Sequence, residues 1–251
     1  ADEWLNDFIE KRLGNFGIYE DAMHCSEKFL YHSVLSPLIN AGLLDPKICV
    51  DLAVKAYEDG KAPLNSVEGF VRQIIGWREY MYGMYLNMSD YKTQNYFGFT
   101  KELESWWYES NHPAHAELPQ PVRIALKNVH EHGYNHHIER LMVLGNWFLL
   151  NQYNPISVYK WFSAMYVDAY EWVMVPNVIG MSQYADGGRL ATKPYISGGN
   201  YLKKMGNWGN IDQKDLDKFT ELYWNLLRTQ KEKLKDNPRM AIMLKRVAEQ
   251  C

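Results

Sequence analysis

The chain has 251 residues, 47% of them hydrophobic and 14% aromatic, and a formal net charge of −3 with a pI near 6.3. That is enough apolar material for one large core or two small ones, and the slight acidity excludes a protein that binds polyanions through bulk charge, though not one with a local basic groove. No apolar run reaches the roughly 18 residues of a membrane span, no secretory leader pattern is present, and the odd set Cys25, Cys49 and Cys251 has no metal-ligand spacing, so free thiols in a reducing, cytoplasmic setting are expected.

Helical signals dominate from the start. Trp4, Leu5, Phe8 and Ile9 recur at helical spacing, and the sequence opens at Ala1 inside that pattern, as a trimmed chain or a piece of a longer one would. Ser36-Pro37 reads as a cap followed by proline at the first helical position, with Gly42 stopping the turn. Asn65-Ser66-Val67-Glu68 reads as a capping box opening a long helix through Trp77 and Tyr85. Residues 89–121 look irregular, with helix only near 101–108. Asn154-Pro155 opens a helix expected to run to about Trp172, and 176–199, rich in glycine and proline, reads as a long functional loop. Asp212 to Lys235 is a helix of alternating charge, and a short helix follows Asn237-Pro238. Strand signals are almost absent, and there is no βαβ alternation, GxGxxG or P-loop motif. The prediction is an all-α chain.

Four segments carry chemistry. Ser33 and Ser36 sit where helix N-termini are expected, and free N–H groups there attract anions; two ordinary caps are the plainer reading. In the stretch around Gln73, Trp77 and Arg78, a tryptophan beside polar groups can stack on a base or flavin while the arginine holds a phosphate; a core tryptophan with a solvated arginine is the commoner outcome. Asn135 precedes the paired His136 and His137, with Asn135 read as their helix cap. Imidazole can give or take a proton near neutral pH. A metal site and simple capping are the rival readings, and Glu139 gives no recognised ligand spacing. Arg140 falls deep in an apolar run, so a buried partner is expected, and Asp168 is the best candidate. Arg189, Lys193, Lys203 and Lys204 supply a local positive face around a glycine-rich stretch.

The wording and order of YHSVLSPLINAGLL (31–44), GWREY (76–80), HHIERLMVLGN (136–146), YVDAYEW (166–172) and MSQYADGG (181–188) resemble the C-terminal half of prokaryotic photolyase-related proteins, the iron–sulfur bacterial cryptochromes and (6-4) photolyases. The resemblance runs from about Phe16 to Met243 and implies the all-α photolyase/cryptochrome FAD-binding helical domain, spanning 1–251 as a single catalytic domain. The α/β antenna domain that precedes this region in the family has no counterpart in the sequence, so no antenna chromophore is expected. By resemblance, Tyr31, His32, Ser33, Leu35 and Ser36 cradle the phosphates and ribose of FAD. Gln73 and Arg78 line the cavity where flavin meets substrate, Arg140 and Asp168 form the ion pair beside the isoalloxazine, and Asn177 faces flavin N5.

The implied activity is light-driven repair of pyrimidine dimers in UV-damaged DNA, preferably the (6-4) photoproduct, by electron transfer from excited reduced FAD to a lesion flipped into the pocket. His137 matches the family's essential proton donor, with His136 beside it, and Tyr195 resembles a pocket residue contacting the lesion. Trp161 and Trp107 are expected as electron-hopping sites. Cyclobutane dimer repair, a cryptochrome-like photoreceptor without repair, and a helical nucleic-acid binder without flavin stand as alternatives.

The sequence departs from the family where cluster cysteines belong: the first position falls at about Pro121, and the rest lie in a loop that looks deleted between Met205 and Leu222. Thiolates are the ligands such clusters need, so no iron–sulfur cluster and no metal are expected, with packing through Trp208 and Phe219 offsetting the loss. Met174 stands where the family often has an acid. A monomer with no membrane association is expected.

Overall fold

The computed structural model describes residues 1–249; Cys251 lies outside the described residues. The fold is all-α. A two-residue parallel pairing of Met23–His24 with Gly206–Asn207 is its one strand ladder among the described residues.

Helices Asp2–Lys11, Leu13–Tyr19, Pro46–Glu58 and Leu64–Val71 enclose one apolar cluster built on Phe8, Phe16 and Phe70, with Phe8 and Phe70 ring centres 4.8 Å apart. The expected capping box is not formed. The helix starts at Leu64 after Pro63, and Ser66 lies inside it, fully buried. Its hydroxyl accepts from Gly17 N at 2.9 Å and donates to Gly14 O at 3.2 Å. The reason is a close crossing: a Cβ on Gly17 would lie 2.8 Å from the Asn65 and Ser66 backbone, so the serine is recruited across the interface rather than back to its own helix.

A larger cluster gathers Trp107, Phe148, Trp161 and Phe219 among helices Gln120–His132, Asn146–Leu150, Pro155–Met165 and Gln213–Thr229. Trp208 and Phe219 are buried in it; the Trp208 indole donates to Leu202 O at 2.9 Å. A third cluster holds Met81, Tyr91, Val175 and Ile179.

Several expected boundaries shift. Asn154 caps its helix, accepting from Ile156 N at 3.0 Å, but the helix ends at Met165 rather than near Trp172. Residues 166–170 are extended or turned, because Tyr166 and Asp168 reach sideways to buried polar partners described below. Helix resumes at Glu171–Met174 and continues as a wide, π-type turn over Val175–Ser182, so only 183–198 of the expected loop lacks helix. Pro176, which has no N–H to give, falls where this continuous helix widens. The long helix 64–87 is continuous but widened at Arg72–Trp77, and a third wide segment spans Glu139–Gly145. Residues 89–121 carry three short 3-10 turns, at Tyr91–Thr93, Ser105–Tyr108 and Pro113–Glu117. Asp212 caps Gln213–Thr229, and a break at Gln230 separates it from Lys231–Leu234.

Candidate functional site

All three wide turns face one cavity of about 780 Å³, within the range of roughly 300–1,000 Å³ typical of ligand pockets. Wide turns of this kind are frequent at functional sites because they re-aim side chains that a regular helix would turn away. Gln73, Trp77, Arg140, Asn177 and Met181 reach the cavity from them.

One wall is the segment 32–36. Leu30 and Val34 hold φ of 44° and 54°, a left-handed conformation that is strained for a β-branched residue such as valine. That backbone presents His32, Ser33, Leu35 and Ser36 to the cavity. Ser36 does not offer its proton there: Oγ donates to Asp168 Oδ2 at 2.6 Å. Ser33 Oγ accepts from Leu35 N at 3.4 Å, which leaves its own proton available. Tyr31 points elsewhere and stacks on Tyr19 at 5.1 Å.

Arg140 and Asp168 form a bidentate pair, 2.8 and 3.1 Å, in the cavity floor. Arg140 also donates through Nε to Asn135 O at 2.7 Å and lies between the rings of Tyr134 and Tyr166, 4.9 and 4.3 Å from their centres. Burial pushes the Asp168 carboxyl up, but the Arg140 guanidinium and the donors from Arg140 and Ser36 outweigh it and leave the group below its ordinary value. Asn135 is a buried hub rather than the expected helix cap. Its amide donates to Ala125 O at 3.1 Å and Glu139 Oε2 at 2.8 Å and accepts from the Tyr166 hydroxyl at 2.7 Å. Sequence spacing alone cannot distinguish this from capping.

The histidine pair diverges. His137 is half-exposed at the cavity rim, with Nε2 3.3 Å from Asp21 Oδ1, and this bond lowers the Asp21 carboxyl pKa. His136 is wholly buried behind the wall and is not part of the cavity lining, as the two side chains leave the helix start about a third of a turn apart. Gln73 donates to Glu20 Oε1 at 2.8 Å, and burial raises the Glu20 pKa. Arg78 donates to Asn40 Oδ1 at 2.6 Å with its guanidinium 4.6 Å from the Trp172 ring centre. Asn177 lines the cavity and donates to Val173 O at 2.8 Å; Tyr195 and the buried Met174 complete the wall. Asp21, Asn40 and Trp172 escaped the sequence reading. Trp172 stood inside a quoted motif, whereas nothing local marks Asp21 or Asn40.

Trp161 and Trp107 are fully buried and outside the lining, 6.3 Å apart at 79°. Phe162 joins Trp161 to the cavity, 5.1 Å from it. On the other side Trp107 stacks on the half-buried Trp106 at 4.4 Å. Trp106, adjacent in sequence to an assigned tryptophan, continues the aromatic line outward. Of the expected positive face, Arg189 is committed to Asp90 at 2.7 and 2.8 Å, while Lys193, Lys203 and Lys204 are exposed.

The cavity chemistry suits a flat aromatic group joined to a polar, anionic chain. Apolar and aromatic side chains line much of it, and the Ser33 hydroxyl, Arg78 and the Arg140–Asp168 pair supply polar contacts. Among the described residues no three His, Cys, Asp or Glu side chains are grouped as metal ligands would be, and no helix is long and apolar enough to cross a membrane.

No family model matches the chain. A (6-4) photolyase of Agrobacterium fabrum is 44% identical to it over 250 residues, 96% of this chain and 48% of that protein. The chain therefore spans about half the length of this curated relative. Among solved structures, a bacterial class III photolyase from Agrobacterium tumefaciens superposes with a TM-score of 0.61 at 19% identity, over 98% of this chain and 49% of the other. A cryptochrome of Synechocystis sp. PCC6803 superposes at 0.60 and 14% identity, over 90% and 45%.

Proposed function

We propose, for a chain that belongs to the photolyase and cryptochrome family, that it binds FAD in the cavity and repairs UV-induced pyrimidine dimers in DNA in a light-dependent reaction, with preference for the (6-4) photoproduct. A reduced flavin bound there supplies an electron on absorbing light. The remaining roles belong to the chain. Ser33 and the backbone of 32–36 hold the phosphate and ribose end. Arg140, fixed by Asp168, Tyr134 and Tyr166, would set a positive charge near the ring, and Asn177 would meet it from Val175–Ser182. Trp77 and Trp172 exclude water and stack on flat groups. Neither an antenna pigment nor an iron–sulfur cluster is part of this reading.

The observation that carries it is His137 on Asp21 at the rim of that cavity, which Tyr195 also lines. A (6-4) lesion needs a proton moved as an oxygen migrates between bases, and an imidazole held at the rim by a carboxylate can give and retake one. Tyr195 contacts the extruded base. Trp161, Trp107 and Trp106 form the electron path by which the flavin is reduced from the surface.

The test is flavin-loaded protein illuminated with oligonucleotides carrying each lesion, beside His137→Ala. Loss of (6-4) repair in the variant with flavin retained supports the assignment; undiminished (6-4) repair refutes it. A photocycle with turnover of neither lesion favours the cryptochrome-like reading.

A further inference from the structure

Four buried polar atoms behind the cavity lack a hydrogen-bond partner: Nε2 of His32, both ring nitrogens of His136, and Oε1 of Glu139. The three residues that carry them are neighbours. Glu139 is wholly enclosed, with Oε1 3.7 Å from His136 Nε2. The His136 ring stacks on His32 at 4.6 Å, 4° from parallel. His32 in turn forms part of the cavity wall. A buried polar atom left without a partner costs about 1–3 kcal/mol. Four such atoms together, offering both donors and acceptors, are what an internal water site presents.

The surroundings fix the protonation of this trio. Glu139 faces Asn135 from the preceding loop and Asn128 from helix Gln120–His132. The cation nearest in sequence, Arg140, is committed to Asp168. Burial pushes the Glu139 carboxyl up to about 7, with the two amides and Arg140 offsetting it only in part. Burial, then His137 and Arg140, push His136 down to about 3, while Asp21 acts weakly the other way. Burial, with His136, His137, Arg140 and Arg12, also holds His32 well below its ordinary value. Around neutrality the acid is therefore partly protonated and both imidazoles are neutral, each able to accept at one nitrogen and donate from the other.

We propose that Glu139 is an internal proton store, and that His136 and His32, bridged by water, carry its proton to the group reacting in the cavity. This rests on the reading of the cavity as a site of electron and proton transfer. It gives His136 a role distinct from that of the rim histidine: His137 serves the cavity mouth, and the inner trio serves its wall. The O–H bond of Glu139 breaks, water passes a proton to one nitrogen of His136, and the other nitrogen releases one toward His32. The carboxylate left behind recovers a proton along the same path when the reacting group gives it up. No electron moves in this step.

The test uses the whole flavin-loaded chain, Glu139→Gln and His136→Phe. Infrared spectra taken in the dark across neutral pH should show the carbonyl stretch of a protonated carboxyl that converts to carboxylate near pH 7 and is missing from E139Q. Light-induced protonation of the group reacting in the cavity, followed by transient absorption, should slow roughly tenfold or more in both variants. E139Q keeps shape and the Asn135 contact, so it decides the matter if H136F fails to fold. A wild-type carboxyl already ionised well below neutrality overturns the store, and protonation of the reacting group at an unchanged rate in E139Q overturns the path. A chain that gives both expected results yet repairs neither lesion sinks the repair reading and leaves the proton store standing.

Discussion

Asp168→Asn isolates the energetics of the cavity floor. The substitution preserves shape and one oxygen acceptor, so one of the two Arg140 bonds, at 2.8 and 3.1 Å, can persist. What disappears is the counter-charge to a guanidinium whose side chain is only 18% exposed, opposite a carboxylate 7% exposed. Breaking a buried pair by removing one partner costs about 3–5 kcal/mol. The retained acceptor and the partial exposure of Arg140 place this case at the lower end, about 3 kcal/mol. For a chain of this size that is a fall in Tm of roughly 6–12 °C. Urea unfolding of both proteins measures it. The pH dependence gives a second check. The Asp168 carboxyl lies below its ordinary value of 3.8 when folded, so its contribution is complete above that value and drains away as pH falls toward the folded pKa. The gap between the two proteins should hold at neutrality and close in acid. A loss under about 1 kcal/mol, the worth of a solvent-exposed pair, would refute the account of the floor as a buried, charge-matched site.

Glu139 works with the opposite sign. Its folded pKa, about 7, lies above the ordinary 4.5, so stability is fully present below the ordinary value and is lost as pH rises through the folded one; E139Q should flatten that decline in a Tm-against-pH series. Gly145→Ala should destabilise by about 1–3 kcal/mol in urea unfolding, because a Cβ there meets the Ser182 side chain and lies 2.8 Å from Arg140 O. Phe at Trp161, Trp107 or Trp106 should lower the yield of flavin photoreduction, read by transient absorption, with W161F the most severe because it breaks the line next to Phe162. Binding of lesion DNA should weaken with salt, and Lys203→Ala should reduce the slope of log K against log salt by about 1 if that lysine meets a phosphate.

Local signals were legible where local chemistry decides. Asn154 and Asp212 cap the helices their side chains open, since each oxygen needs only a backbone N–H two residues on. Arg140 in an apolar run called for a buried anion, and the structure sets Asp168 against it. Where tertiary contact competes with local chemistry, the sequence misleads. Ser66 and Asn135 both carry the pattern of a helix cap, yet each is drawn into a buried junction with a segment distant in the chain. The break at 166–170 has the same origin, with Tyr166 and Asp168 held by Asn135 and Arg140 at the expense of helical continuity.

The three wide turns are the deepest case, because no residue type encodes them. Each replaces regular helical bonding by a looser ring, which a helix in isolation does not favour. Two of them stand where the helix must aim polar groups into the cavity and apolar ones into the core: Arg140 against Val143, and Asn177 against Ile179. A regular helix repeats every 3.6 residues and cannot satisfy both faces at those positions; one added residue per turn shifts the face without ending the helix. The cavity is thus formed by helices that depart from regularity only where they meet it. A substitution at a wide turn should therefore disturb the cavity before it disturbs the core, whereas the buried Val143 and Ile179, on the faces turned inward, answer to stability first.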